Sequence, residues 1–160
     1  MPTVGAMPIP DFVVQLRAKI GHDPLWLPGV TAVILKDAEV LLVRRSDNGN
    51  WTPVTGIVDP GEHPAEAAVR EALEEKGIRC SVEALVWVDV SAPITHVNGD
   101  HAQYLDHAFR CTYLDGEPYV ADDESLEVRW FPIDRLPPMA PLFVERIVTA
   151  VEHDGPTRLT

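Results

Sequence analysis

The strongest structural signal in the sequence is an amphipathic helix over residues 64–76. Pro64 stands in the first turn, where its missing N–H costs nothing, and Gly77 follows as a stop signal. At about 100° of rotation per residue, one helix face spanning about 100° carries three carboxylates, those of Glu71, Glu74 and Glu75. The apolar stripe that packs on the core is expected on the other side, from Val69 and Leu73 with Ala65 and Ala72 at its flank.

The clustered glutamates of this helix predict a nearby cation. Carboxylates three and four residues apart on a helix repel one another, so a positive charge among them is favourable. Oxygen ligands without histidine or cysteine favour a hard cation, Mg²⁺ first and Mn²⁺ second, of the kind that also binds substrate phosphates. The alternative is an ordinary solvated acidic face, which is the usual setting of such residues.

Composition and charge exclude several classes of protein. The 160 residues are 46% hydrophobic and 24% charged, which indicates one globular domain rather than a disordered or membrane-spanning chain. A net charge of −12 argues against a nucleic-acid partner. Cys80 and Cys111 form no zinc or redox motif and are expected to be buried. The chain shows no signal peptide and no membrane-length apolar run, so we predict a cytoplasmic protein without a membrane partner.

The N-terminal part of the chain is predicted to be a leader, residues 1–29. Within it, residues 11–20 are expected to form a short helix that ends at Gly21 and docks on the body or on a second subunit. Its apolar positions are Phe12, Leu16 and Ile20. Residues 26–29 are interpreted as a Pro-containing connector, residues 30–153 as the main domain and residues 154–160 as a C-terminal tail.

The main domain is predicted to be α/β or α+β with a mixed sheet. Residues 30–35 and 40–43 are typical of a hairpin, and two Val-, Leu- and aromatic-rich strands, 79–90 and 103–114, flank an Asn98-Gly99 turn. An acidic stretch over 115–127 precedes a last strand at 128–133. A closing helix is expected over 142–153, with apolar positions at Phe143, Ile147, Val148 and Val151.

The spacing of residues around the acidic helix resembles a known family. From Gly56 to Ile78 the chain fits G-x5-E-x7-R-E-U-x-E-E-x-G-U, where U is aliphatic, at every fixed position. This is the signature of the Nudix hydrolases, including the MutT and ADP-ribose pyrophosphatase types, and the resemblance extends from Val30 to Pro138. One departure is Pro53-Val54-Thr55-Gly56, where many relatives carry Pro-Gly-Gly. The resemblance implies an α/β/α sandwich with a catalytic loop-helix-loop.

The resemblance also implies a role for each residue of the signature. The metal-binding set would be Glu71, Glu74 and Glu75, with Glu62 in the same acidic site and the carbonyl of Gly56 completing the shell. Arg70 resembles the family arginine that holds a glutamate in place, the alternative being an ordinary surface pair four residues apart. Water would attack one phosphorus of a diphosphate, and a carboxylate would accept the proton.

That proton acceptor, the general base, has several candidates. In some relatives it is a glutamate of the helix, here Glu71 or Glu74, and in others a glutamate on a later loop. On the loop we rank Glu117 and Glu124 as near equals, and each is otherwise a solvated charge.

Substrate recognition is predicted from residues near the signature. Arg44 and Arg45 end a strand, and guanidinium groups suit phosphate oxygens, although alternation along the strand lets only one of them face the site. Trp51 is a candidate for stacking on a base, as are several aromatic residues that are otherwise core: Trp26, Trp87 and Tyr104. Three histidines around the turn are interpreted as structural rather than metal-binding: His96, His101 and His107.

The substrate class is a weaker prediction. Pro93 stands 15 residues after Ile78, where ADP-ribose-cleaving members of the family tend to carry proline. We therefore expect a small nucleotide substrate, ADP-ribose or an NDP-sugar. The alternatives are hydrolysis of oxidised or non-standard nucleoside triphosphates, indicated by compact size and by Gly116-Glu117-Pro118, and a nucleotide sensor without catalysis. A homodimer through the leader helix is a further expectation.

Overall fold

The computed structural model describes residues 9–120 and 125–160. It contains a mixed sheet with helices on both faces, which confirms the predicted α/β/α arrangement. In chain order the described elements are α1 Asp11–Ile20, β1 Leu25–Lys36, β2 Glu39–Arg45, β3 Trp51–Thr52, β4 Val54–Ile57, α2 Pro64–Lys76, β5 Arg79–Val90, β6 Ile94–Thr95, β7 His101–Asp115, β8 Ser125–Pro132 and α3 Pro141–Glu152.

Strand β1 organises the sheet. Along one edge it runs parallel to β7 from Leu25 to Leu35, and β7 in turn pairs with β5. On the other edge its middle, Gly29 to Ala32, pairs with β4, and its last residues form the predicted hairpin with β2. Strand β2 pairs with β8 along its length, from Glu39 to Arg45, and near its end it also pairs with β3. Because β4 and β2 leave the same edge of β1, a gap opens between them.

The predicted connector at residues 26–29 is wrong, since these residues belong to β1. Pro28 misled the prediction because proline is rare inside strands. Its carbonyl accepts a hydrogen bond from Val58 N at 3.0 Å, just past the end of β4. The N–H that Pro28 lacks would point to this same edge, at the end of the pairing with β4, so the hydrogen bonds between β1 and β7 do not need it.

Helix α2 has the predicted bounds, and three of the four predicted core positions pack on the core: Ala72, which is buried, and Ala65 and Val69, which are partly buried. The fourth, Leu73, does not. Leu73 is 46% exposed, and the buried positions are Ala67, Ala68, Ala72, Glu71 and Lys76. Small alanines let the helix approach the sheet closely, where they join a core cluster that includes Val30, Ile34 and Leu41. The face that carries Glu71 is thus the sheet-facing side, not the solvent side.

The other two helices also differ in their packing from the prediction. In α1, Val13 is buried and Leu16 is exposed, so the helix docks on its own domain through Val13 and its neighbour Phe12. In α3, Val148 and Val151 are exposed, while Ile147 joins the core cluster on the second sheet face. The predicted homodimer through α1 stays a prediction.

The C-terminal segment that was predicted to be a tail is attached to the sheet. The backbone of Arg158 donates to Val86 O at 2.9 Å and accepts from Val88 N at 2.9 Å. Its guanidinium lies 3.8 Å from the ring centroid of Trp87. The cysteines are free and buried, as predicted. Within the described part of the chain, no helix is long and apolar enough to span a membrane.

Candidate active site

Both ends of α2 are closed by local signals in the sequence. At the start, His63 N donates to the Glu66 carboxylate at 3.4 Å and Pro64 occupies the first turn. At the end, Gly77 has φ +72° and Ile78 N donates to Ala72 O at 3.1 Å. A side chain at Gly77 would also overlap the ring of Tyr119, so glycine is required there by both backbone and space. The helix is therefore fixed in register against the sheet.

Glu71 lies on the inner face of α2 against the backbone of β4. It is 7% exposed, and a Cβ built on Gly56 would overlap its carboxylate. Only glycine leaves this space, which explains the residue that opens the signature. One oxygen, Oε1, accepts a hydrogen bond from Arg70 Nη1 at 3.0 Å. Glu71 is thus a buried carboxylate with a fixed orientation.

Arg70 clamps the loop before α2 as well as the helix. Its Nε and Nη2 donate to the two oxygens of Glu62 at 2.7 and 2.9 Å, and Nη2 also lies 3.2 Å from Ile57 O. These hydrogen bonds lower the pKa of Glu62, against the opposing effect of burial. The partners raise the pKa of Arg70 further above its usual range. Arg70 therefore donates four hydrogen bonds: two to Glu62, one to Ile57 O and one to Glu71.

Glu75 and Glu74 differ sharply in their surroundings. Glu75 Oε2 is buried and has no hydrogen-bond donor among the residues described, although Lys76 Nζ lies 3.5 Å away. Glu74 is 63% exposed, and its carboxylate lies 3.7 Å from Arg70 Nη1. The inner face of α2 therefore presents Glu71 and Glu75, while Glu74 points to its solvent margin.

The donor set of this face suits a hard cation. Glu71 and Glu75 are inward carboxylates, one Glu75 oxygen lacks a hydrogen bond, and the Glu71 carboxylate lies against the backbone at Gly56. Across residues 9–120 and 125–160, however, no three acidic, histidine or cysteine side chains converge as a ready metal cage. Glu62 is occupied by Arg70. Completing a shell therefore requires waters or substrate oxygens, as is usual for Mg²⁺.

Of the two loop candidates for the general base, the structure describes only Glu117. Glu117 is exposed, on a loop that packs on the C-terminal end of α2 through a hydrogen bond from Tyr119 N to Lys76 O at 3.1 Å. Glu124 lies outside the described residues. The choice between them stays open.

The predicted recognition residues lie on two faces of the sheet. Arg45 lines a small cavity in the gap between β2 and β4, together with Thr55 and Lys76. Arg44 pairs across the strands with Trp51, which packs against the α3 side of the core. As the alternation rule predicts, only one of the two arginines faces α2. That one is Arg45.

Arg45 is itself held by an acid. Its Nε and Nη2 donate to the two Asp47 oxygens at 3.0 and 2.6 Å. Burial raises the pKa of Asp47, but these hydrogen bonds and the charge of Arg45 outweigh it and leave the pKa lowered.

His96 lies near the same arginine and hydrogen-bonds to Tyr104 OH at 2.9 Å. Its pKa is lowered, mainly because it is partly buried and also because of the Arg45 charge. Tyr104 is therefore a half-buried partner of His96 near Arg45.

Sequence reasoning overlooked one residue of the site, Lys76. It occupies a variable position of the signature, and a lysine in the last helical turn is ordinary. The structure buries it to 2% exposure, with Nζ 3.0 Å from the hydroxyl of Ser125 in β8. The helix geometry alone could have indicated this burial. Lys76 lies about 140° from Glu71 around the helix, on the same side as Ala72, which packs on the core.

Comparison with known proteins agrees with this geometry. Residues 26–151 match the family model of the NUDIX domain. A MutT-like protein of Streptomyces ambofaciens is 30% identical over 83% of this chain and 82% of its own length. The NAD-capped RNA hydrolase NudC of Klebsiella pneumoniae subsp. pneumoniae is 35% identical over 75% of this chain, which spans 44% of NudC. A crystal structure of a UDP-X diphosphatase superposes with a TM-score of 0.69 at 23% identity, covering 94% of this chain and 74% of that one.

These matches and the loop-helix-loop define the class of protein, an enzyme that hydrolyses phosphorus-containing anhydrides. The chain belongs to the Nudix hydrolase family. More narrowly, it is a Nudix pyrophosphohydrolase that acts on nucleotide derivatives.

Proposed function

We propose that this chain hydrolyses a diphosphate linkage in a nucleoside diphosphate derivative, with ADP-ribose or an NDP-sugar as substrate. A divalent cation, Mg²⁺ first and Mn²⁺ second, is the proposed cofactor. The observation that carries the proposal is the inner face of α2, where the buried Glu71 lies against the backbone at Gly56 and is oriented by Arg70, with the half-buried Glu75 beside it. A solvated acidic face would not bury Glu71 or orient it with an arginine.

Each residue of the site has one proposed task. Glu71, Glu75 and the Gly56 carbonyl hold the cation, which when bound neutralises phosphate oxygens and lowers the pKa of the attacking water. Arg70 keeps Glu71 in its inward orientation, and Glu62 keeps Arg70 in place. The exposed Glu74 adds a carboxylate at the margin where substrate enters.

The proton of the attacking water goes to a carboxylate. We propose to separate Glu117 from Glu124 with the variants Glu117→Gln and Glu124→Gln, because removing a general base slows a reaction by about 10²–10⁴-fold. The base variant loses kcat and the acidic limb of its pH profile, while the other variant keeps both. If neither changes kcat, the base is a glutamate of α2.

Two observations support a diphosphate-linked substrate over a triphosphate. Pro93 stands at the position that ADP-ribose-cleaving members tend to occupy with proline. The relative of highest identity among those compared above is named for NAD-capped RNA, and NAD joins its two nucleosides through a diphosphate. On the α2 side of the sheet, the guanidinium of Arg45, which Asp47 holds, is the proposed contact for a substrate phosphate.

A substrate panel tests the proposal. Purified protein with Mg²⁺, and separately Mn²⁺, is given ADP-ribose, several NDP-sugars, NAD, an NAD-capped RNA, and standard and oxidised nucleoside triphosphates. Release of a nucleoside monophosphate from ADP-ribose or an NDP-sugar supports the proposal. Cleavage of triphosphates alone would show the alternative activity, and preference for the capped RNA over free NAD would contradict the predicted absence of a nucleic-acid partner.

The variant Glu75→Gln tests the metal assignment. We expect kcat to fall by at least about 10³-fold, because the substitution removes a charged ligand with almost no change in shape. Circular dichroism and thermal unfolding report whether the fold is intact. The matched control is Glu145→Gln, which makes the same change on the exposed surface of α3. Activity retained in Glu75→Gln would eliminate Glu75 as a metal ligand.

A further inference from the structure

Lys76 is a buried ammonium group inside the acidic site. Its side chain is 3% exposed, and the cavity beside it measures about 10 Å³, room for about one water molecule. Burying an ammonium costs several kcal/mol unless protein groups replace its hydration. Lys76 therefore depends on fixed protein partners.

Those partners are one oxygen of Glu75 and the first residue of β8. Nζ lies 3.5 Å from Glu75 Oε2 and 3.0 Å from the buried hydroxyl of Ser125. No hydrogen-bond donor reaches that Glu75 oxygen from the described residues, so the lysine charge is its main compensation. The ammonium thus faces the oxygen that points into the protein.

The same arrangement occurs at the second inward glutamate. Arg70 Nη1 lies 3.0 Å from Glu71 Oε1, as Lys76 Nζ lies 3.5 Å from Glu75 Oε2. Each inward carboxylate therefore has one oxygen turned to a built-in cation. Two fixed positive charges beside two ligands lower the attraction of this face for a free divalent ion.

We propose that Lys76 is a positioning residue that holds Glu75 and weakens cation binding by the free enzyme, so that the cation binds firmly only together with the diphosphate of the substrate. The inference rests on the proposed function, because it takes Glu75 as a metal ligand. The substrate phosphates supply the negative charge that Lys76 offsets.

The test measures Mn²⁺ binding to the substrate-free protein by electron paramagnetic resonance and calorimetry. Lys76→Met keeps the length and apolar stem of the side chain and removes its charge. We expect its Kd for Mn²⁺ to fall about tenfold, since the unit charge that lies 3.5 Å from Glu75 Oε2 is lost. Lys76→Gln, which keeps a hydrogen bond to Ser125, should tighten binding in the same direction. Lys76→Gln replaces Lys76→Met in this test if the methionine variant folds poorly.

Three controls separate charge from structure and from the proposed function. Lys19→Met removes the same charge from the exposed side of α1 and should leave the Kd unchanged. Lys76→Arg retains the charge and should stay near the wild-type Kd, and Ser125→Ala should change the Kd less than Lys76→Met. Unchanged or weaker Mn²⁺ binding in both uncharged Lys76 variants overturns the inference. If no Mn²⁺ binds to wild type even with substrate present, the proposed metal dependence itself fails.

Discussion

Two arginines of this molecule lie between acidic side chains, Arg70 in α2 and Arg146 in α3. Arg70 reaches Glu62 with two hydrogen bonds, at 2.7 and 2.9 Å, and Glu71 with a third at 3.0 Å. All three nitrogens of its fork have an acceptor. Side-chain exposure of 25% leaves it in partial contact with water. This is the geometry in which an arginine fixes the direction of a carboxylate.

Arg146 lies farther from its carboxylates than Arg70 lies from Glu62 and Glu71, and it is less exposed to water. It is 4% exposed, and it lies 3.5 Å from both Asp89 and Asp106. Its Nη1 donates to the Thr31 hydroxyl at 3.2 Å, while its Nε is buried and reaches no acceptor in the described part of the chain. Arg146 therefore joins α3 to the sheet by charge more than by directed hydrogen bonds.

The pKa values of the acids beside the two arginines are shifted in opposite directions. Hydrogen bonds from Arg70 are the largest influence on Glu62, and its pKa is lowered. Burial is the largest influence on Asp106, and it raises the pKa in spite of the Arg146 charge and a hydrogen bond from Thr31. An ion pair without a short hydrogen bond thus fails to offset the cost of burial. The comparison indicates that Arg70 serves orientation and Arg146 serves attachment.

The largest effect is expected from Arg146→Ala. The variant leaves the buried Asp106 and the half-buried Asp89 without their cation, and we expect a loss of about 3–5 kcal/mol in the free energy of unfolding. Urea unfolding followed by circular dichroism measures it. The specific activity of the fraction that remains folded should change little, because no contact of Arg146 reaches the described residues of α2 that carry the site.

Arg79→Ala is the control for this loss. Arg79 is 64% exposed and lies 3.6 Å from Asp115, so a change within about 1 kcal/mol is expected. If Arg146→Ala were as stable as Arg79→Ala, Arg146 would not attach α3, and the contrast between the two arginines would disappear.

The next effect is expected from Arg70→Gln, on activity rather than on stability. Glu71 loses the donor that orients it, and we expect kcat/KM to fall about hundredfold, or about 2.7 kcal/mol of transition-state stabilisation. Steady-state kinetics with the substrate identified by the panel measures the change, and thermal unfolding reports the fold.

Arg129→Gln provides the control, since Arg129 is 58% exposed on β8 and lies 3.8 Å from Glu127. We expect near wild-type kinetics from it. A large loss of stability in Arg70→Gln without a loss of kcat/KM would assign Arg70 the same structural role as Arg146.

Sequence alone predicts that Arg70 holds a glutamate in place, but it assigns Glu62 to the cation site and does not predict the hydrogen bonds between Glu62 and Arg70. The signature places Arg70, Glu71 and Glu62 at spacings within one loop and helix, so local geometry brings them together. The sequence did not predict that the face of α2 carrying Glu71 packs on the sheet. Periodicity assigned the core to Leu73, but alanines pack closer to the sheet than leucine and turn Glu71 inward. A helix whose acidic face is its buried face gives a misleading apolar pattern.

The Arg146 side has no comparable sequence signal. Arg146 stands among apolar residues of α3, and its partner Asp106 lies 40 residues earlier, inside a strand. Their contact depends on the parallel pairing of β1 with β7 and on how α3 crosses both strands. Such contacts follow from the tertiary arrangement, as does the contact of Lys76 with Ser125. Pairing between distant charged residues is not encoded in local periodicity.

The smallest effect, and the sharpest test of the comparison, is the pH dependence of stability in Asp106→Asn and Glu62→Gln. The folded state raises the pKa of Asp106. The stability this contributes is complete below the unfolded pKa and is lost as the pH rises through the folded value. The asparagine variant lacks this loss. Its stability relative to wild type should therefore improve as the pH rises from the ordinary aspartate pKa toward neutrality.

Glu62→Gln should show the opposite slope. The folded state lowers the pKa of Glu62, so its contribution is present above the unfolded pKa and is lost as the pH falls through the folded value. The glutamine variant should therefore lose stability relative to wild type as the pH rises through that acidic window. Urea unfolding at a series of pH values from about 3 to 7 measures both slopes, with the exposed Asp115→Asn as reference. Slopes of the same sign would mean that the two arginines hold their acids alike, and that hydrogen-bond geometry does not separate orientation from attachment.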